Sequence, residues 1–309
     1  MREYFIWLAK IITILLMIVV VVPLMIGVVV GTSAVLTTKG GSHIGDLKPG
    51  NKNVAVVELL GEIEDTKEVI TQLYDNANDS SIAGIVLRVD SPGGQVAPSQ
   101  DIYRAVEKLK SKKPIVASMG SVAASGGFYA AIGGSKVFAQ PGTMTGSIGV
   151  IMQIPNVEKV SQLVGVDMIT IRSGTLKDAG NMFRAMTSEE RTYLENVTSE
   201  VHRQFVADIA TARKLPVDAV KTFSDGRIIL GSQAKELGLV DAFGDINDAA
   251  RMVFELKGQK LNDDEQPNLI YHQDKFKDLK KLLRAAQSLP KFFTKSFGGV
   301  PELRYQLTF

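Results

Sequence analysis

Three short stretches of this sequence carry groups that could perform acyl transfer. The first is SMGSVAASGGFYAA, residues 118–131, where Ser125 stands among alanines and glycines at a strand-to-helix corner. A serine at such a corner exposes its hydroxyl near a helix N-terminus, where developing negative charge is stabilised. The run is not a GxSxG elbow. Taken by itself, the run reads more simply as close helix packing with Ser125 as a cap, and Ser118 and Ser121 are rival hydroxyls within it. The second stretch is VDSPGG, residues 89–94. A strand that ends in Ser-Pro-Gly-Gly can leave backbone N–H groups converging on an oxyanion, and glycine lets a carbonyl come close. An ordinary tight turn has the same composition. The third is IRSGTLKDAG, residues 171–180, a loop with Lys177 beside Asp178.

A nucleophilic serine needs a base. Of the three histidines, His43 lies in the linker before Val54, His202 within the helical stretch after Thr187 and His272 near the tail, so a Ser-His-Asp triad is poorly supported. A lysine can serve if its pKa falls from ~10.4 to roughly 7–8, a shift that apolar burial supplies. Most lysines here sit in charged runs, and Lys177 stands apart from them only mildly. There is no cysteine, which excludes thiol catalysis, disulfides and cysteine-bound zinc. HExxH, GxxxxGK[ST] and GxGxxG are absent from the sequence, so metal, P-loop and dinucleotide chemistry lack motifs and no cofactor is implied. A net charge of +2 gives no reason to expect nucleic acid as a partner.

Strands and helices alternate around these stretches. VAVVELLGEI from Val54, IAGIVLRVD, PIVASMG, KVFAQ, SIGVIMQI and DMITIRSG read as strands. Helices are expected over residues 65–76 and 98–110, and again from Thr187, whose TSEE opens a capping box, to about Arg213. Two short helices follow within residues 229–256. The pattern predicts an α/β domain.

Between Lys10 and Lys39 there is no charged residue. A bilayer core needs about 20 apolar residues in helix, whereas a cleaved signal has an apolar region of about 7–15. The run therefore reads as an uncleaved transmembrane signal-anchor, and Pro23 is tolerable within it. Flanking charges barely discriminate orientation; a short N-terminal flank before a long domain favours the N-terminus inside. The expected organisation is a cytoplasmic segment 1–10, an anchor 11–36, a linker 37–53, an α/β domain 54–260, and a basic helical extension and tail 261–309. Residues 271–309 hold eight lysines and arginines against three acidic residues, and VPELRYQLTF at the end alternates like a strand. That strand has three readings: added to a neighbour's sheet edge, lying in the substrate groove as a built-in ligand, or a disordered end.

The motifs SMGSVAASGG, VDSPGG, PGTMTGSIGV, SGTLKDAG and DGRIILGSQAKELGLVDAFG, in this order and spacing, closely resemble the signal peptide peptidase A family from about Val54 to Ala250. The resemblance implies a crotonase-like α/β fold shared with Clp protease subunits, and a Ser-Lys dyad of Ser125 and Lys177. It implies that Ser147 orients the lysine and that Gly93, Gly94 and Gly126 form the oxyanion hole. It further implies an extracytoplasmic domain at the cell membrane, ring-like homo-oligomers that share active sites between protomers, and hydrophobic signal peptides as substrates, with a groove that selects small, apolar side chains. Rival readings are a non-catalytic membrane scaffold, a regulatory protease with one protein partner, and an acyl-CoA enzyme of crotonase type.

Overall fold

The computed structural model describes residues 52–262, 264–272 and 303–307. The expected anchor at 11–36 and residues 273–302 of the expected basic helical extension lie outside the described residues. Among the described residues no helix is long and apolar enough to cross a membrane.

The chain runs β1 (Asn53–Leu60), α1 (Lys67–Asn78), β2 (Ile82–Ser91), β3 (Gly93–Gln95), α2 (Val96–Leu109), β4 (Ile115–Ala123), α3 (Gly126–Ile132), β5 (Lys136–Ala139), β6 (Met144–Gly146) and β7 (Ile151–Met152). There follow α4 (Glu158–Leu163), a 3-10 turn (Thr175–Asp178), α5 (Ser188–Arg213), α6 (Val217–Lys221), β8 (Ile228–Leu230), α7 (Gly231–Glu236), β9 (Ala242–Phe243), α8 (Ile246–Leu256), β10 (Asn268–Tyr271) and β11 (Leu303–Gln306).

The main sheet has the order β10-β1-β2-β4-β5-β9, parallel throughout, with β6 beside the end of β4 and β8 antiparallel to β6. Both faces are covered, which is why its strands are continuous apolar runs. Ile85, Leu87 and Val89 of β2 and Ile115, Ala117 and Met119 of β4 face a core shared with α1, α2, α3 and α5. The alternate residues Val86 and Val116 face α8, against Ala249, Ala250, Val253 and Phe254. The register of β2 on β4 slips between Val89 and Ser91. The irregularity lies at the C-terminal ends of the two strands, where parallel sheets hold their ligands.

The capping box forms as expected: Thr187 accepts from the Glu190 amide, and the Glu190 carboxylate accepts from the Thr187 amide. Two expectations need correction. SIGVIMQI contributes only the two residues of β7. DMITIRSG is not a strand at all; its Ile169 and Ile171 are 85% and 96% exposed. Apolar alternation makes a strand only where an edge accepts it, and no strand of the described chain pairs with this segment.

Candidate active site

The candidate residues gather where β2 and β4 end. β4 stops at Ala123, and Ser125 follows as the residue before α3, with φ 52° and ψ −116°. A non-glycine residue there is strained, and such strain persists only where surroundings over-determine it. The surroundings are visible: the Ser125 amide donates to the Gly146 carbonyl at 2.8 Å, and its carbonyl accepts from the Tyr129 amide at 2.8 Å. Its hydroxyl is buried and has no hydrogen-bond partner among the described residues. The rivals differ. Ser118 lies within β4 and accepts from Arg88 at 2.9 Å, while Ser121 is exposed.

Ser147 sits beside this turn. Gly146 and Ser147 are consecutive left-handed residues, φ 71° and 49°, and the Ser147 amide donates to the Arg227 carbonyl at 2.8 Å. The structure thus brings Ser147 next to Ser125 through Gly146.

Gly93 and Gly94 complete the cluster. The Gly93 carbonyl accepts from the Ile63 amide at 2.9 Å, and the Gln95 amide donates to the Ile63 carbonyl at 2.8 Å. The Gly94 N–H and C=O therefore face the opposite side, where β11 pairs antiparallel with Tyr305 opposite Gly94. A Cβ on Gly94 would lie 2.2 Å from the Ile63 carbonyl oxygen, and one on Gly93 would lie 2.1 Å from the Tyr305 carbonyl oxygen and 2.7 Å from the Gly126 amide nitrogen. The Tyr305 carbonyl is thus lodged where the Gly93–Gly94 backbone meets the Gly126 amide. The tail strand expected from VPELRYQLTF lies between β3 and β7 of its own chain. It fills the cleft as an extended peptide, with Tyr305 and Leu307 buried and Arg304 and Gln306 only partly so.

Lys177 is not in this cluster. It is exposed on the 3-10 turn, and among the described residues no amine lies within hydrogen-bonding distance of the Ser125 hydroxyl. The turn itself is held. Arg184 bonds Asp178 at 2.9 Å and Glu190 at 2.9 Å. The Arg184 guanidinium, with the Thr187 amide, holds the buried Glu190 carboxyl down at about 2. Desolvation works against Asp178, but hydrogen bonds from Asn181 and Arg184 keep it below the usual carboxylate range. The stretch before the turn exposes Leu163, Val164, Ile169 and Ile171.

One part of the site was not foreseen. The Tyr305 ring is fully buried against Tyr129, ring centroids 5.3 Å apart and nearly perpendicular, and Phe205, at 4.7 Å. Tyr129 and Phe205 stack at 4.5 Å. The Tyr129 hydroxyl donates to the Asp208 carboxylate. Burial first, and then that bond, hold the Tyr129 phenol far above the ordinary tyrosine range. Among the described residues no group of acidic, histidine or cysteine side chains is arranged to hold a metal.

A strained serine beside converging amides, with a peptide carbonyl lodged among them, is an arrangement suited to acyl transfer. Comparison with known proteins points the same way. Residues 107–260 match the peptidase family S49 model, and residues 51–148 match the Clp protease model. The chain is 39% identical to a Synechocystis sp. protein named as a candidate protease, slr0021, over 67% of this chain and 75% of that one. It is 35% identical to an Enterococcus faecium protein named as a candidate signal peptide peptidase SppA, over 69% of this chain and 65% of that one. It is 33% identical to Protease 4 of Salmonella typhi, over 79% of this chain and 37% of that much longer protein. The fold is Clp protease-like, and the chain belongs to peptidase family S49 as a serine peptidase.

Proposed function

We propose that this peptidase is anchored in the cell membrane by residues 11–36, uses Ser125 as nucleophile and Lys177 as base, and degrades signal peptides left after secretion. The observation that carries the site assignment is the lodging of the Tyr305 carbonyl beside Gly93, Gly94 and Gly126, immediately next to Ser125. The tail strand stands in for a substrate. In the reaction the Ser125 hydroxyl attacks the peptide carbonyl while the Lys177 amine takes its proton, and the Gly94 and Gly126 amides hold the oxyanion. Lys177 then gives the proton to the departing amine. Water, activated by the same lysine, attacks the acyl-enzyme and restores Ser125. Ser147, fixed beside Ser125, orients the amine.

Lys177 reaches a serine by assembly. It is exposed, and the apolar side chains that precede it along the chain are exposed with it. Such a patch marks an interface. Head-to-tail packing of identical copies closes into rings and places one copy's Lys177 at the next copy's Ser125. Desolvation in that interface favours the neutral amine a base requires.

The test is complementation. Full-length Ser125→Ala and Lys177→Ala are each inactive on a synthetic signal peptide in detergent. Co-assembly of equal amounts restores roughly a quarter of wild-type activity, since each site then needs one intact residue from each of two randomly drawn neighbours. A mixture that stays inactive refutes sharing between copies. Activity retained by Lys177→Ala alone refutes the base.

A further inference from the structure

Ser91 is the last residue of β2 and fully buried, and the reaction as proposed gives it no part. Both halves of the cluster are nonetheless fastened to it. Its carbonyl accepts from the Ala124 amide at 3.0 Å, one residue before the candidate nucleophile. A Cβ on Gly127 would lie 2.7 Å from that carbonyl oxygen and 3.2 Å from the Ser91 Cβ, so the first turn of α3 rests directly on Ser91. Its hydroxyl accepts from the Gly93 amide at 3.1 Å. That last bond sets the phase of the glycine loop. The peptide joining Pro92 to Gly93 has its N–H turned inward to Ser91 and its carbonyl turned to the cleft, where it accepts from the Leu307 amide at 2.8 Å. The next peptide is turned the other way. The Gly93 carbonyl accepts from the Ile63 amide, which leaves the Gly94 N–H toward the cleft. Without the hydroxyl, the Gly93 N–H would be buried and unpaired, and a glycine at φ 99° is free to turn that peptide over.

We infer that Ser91 is the positioning residue of the oxyanion hole. Its hydroxyl holds the Gly93 N–H out of the hole, so that Gly94 and Gly126 are the two donors. Its main chain, through Ala124 and Gly127, fixes the glycine loop against the Ser125 turn. The inference rests on the proposed reading of this cluster as the catalytic site. It removes Gly93 from the three expected donors and leaves that glycine the task of turning the chain. Donors aimed at an oxyanion matter most once the carbonyl oxygen carries charge. Loss of the Ser91 hydroxyl should therefore weaken binding of a tetrahedral adduct and spare binding of an unreacted peptide.

The experiment uses the full-length protein in detergent and two peptides of one sequence, acetyl-Leu-Arg-Tyr from residues 303–305, ending in an aldehyde or in a carboxamide. The Ser125 oxygen adds to the aldehyde carbon, its proton passes to the base, and the former carbonyl oxygen becomes an alkoxide in the hole. The carboxamide binds without forming that bond. Titration calorimetry gives both dissociation constants. Competition from the protein's own tail weakens both peptides equally, so their ratio reports the hole. On wild type the aldehyde should bind about a hundredfold or more tighter, and Ser125→Ala should abolish the advantage. Ser91→Ala should cut the advantage about tenfold or more, with the carboxamide affinity unchanged. Ser91→Cys keeps the shape and offers sulfur as a weak acceptor, so its loss should be intermediate; it carries the comparison if the alanine variant does not fold. A Ser91 variant that keeps the full advantage, or that weakens both peptides alike, overturns the role of Ser91 and leaves the catalytic reading standing. An aldehyde no tighter than the carboxamide on wild type, or an advantage that survives Ser125→Ala, overturns the catalytic reading and the inference with it.

Discussion

The Ser125 amide and the Gly146 carbonyl meet at 2.8 Å, which clamps a strained serine against the left-handed pair Gly146 and Ser147. The serine's conformation is therefore held by a turn some twenty residues later, as well as by the Tyr129 amide of the helix that follows it. Gly146→Ala places a Cβ 2.7 Å from the Ile229 side chain at a φ of +71°. It should cost about 1–2 kcal/mol in urea unfolding and lower peptidase activity more than the unfolded fraction explains. Gly142→Ala, where a Cβ meets nothing within 4 Å, should change neither.

On the proposed reading of the cleft, the tail strand should compete with substrate. Held on the same chain, it acts at an effective concentration in the millimolar range. Deleting residues 300–309 should lower the apparent KM for short peptides about tenfold or more, with kcat little changed. Progress curves at several peptide concentrations separate the two parameters, and an unaltered KM would show that the strand does not guard the groove.

The exposed apolar stretch before Lys177 predicts an assembly defect. Ile169→Glu and Ile171→Glu alter side chains that are almost wholly exposed, so thermal stability of the fold should stay within about 0.5 kcal/mol of wild type. Light scattering should nonetheless report smaller particles, and activity should fall with them. Full-sized particles with full activity would show that this stretch is not an interface.

Acid should loosen the Lys177 turn. The Glu190 carboxyl titrates at about 2 when folded, below its ordinary 4.5, and Asp178 is shifted the same way. A depressed folded pKa means that the stabilising contribution is complete above about 4.5 and is lost as pH falls toward 2. Limited proteolysis around residues 172–190 should accelerate across that window. Glu190→Gln should flatten the dependence. A cleavage rate independent of pH there would discard the role of the Arg184 cluster.

Much of this arrangement was legible in the sequence because parallel strands buried on both faces announce themselves as apolar runs. The runs of β2 and β4 end at Pro92–Gly93 and at Ser125–Gly126, so the corners bearing the candidate groups could be read directly. The DMITIRSG stretch carried the same apolar pattern and is no strand, since its fate depends on whether an edge is available. The aromatic slot left no local signal. Tyr129 comes from α3 and Phe205 and Asp208 from α5, distant in the sequence, and only the packing of α3 against α5 brings them beneath the tail. The exposure of Lys177, away from the Ser125 cluster in its own chain, is likewise a property of tertiary placement.

The seat of β11 between β3 and β7 has a consequence for what this enzyme recognises. Both neighbours bond main chain to main chain, so a substrate taking the same seat would be read for extension before most of its side chains. A segment coiled as a helix satisfies its own backbone and has nothing to offer those edges. An apolar sequence still helical in a bilayer would be invisible to the site until about five residues unwound. The conformational freedom of the substrate, rather than the strength of the nucleophile, would then set the pace of its destruction.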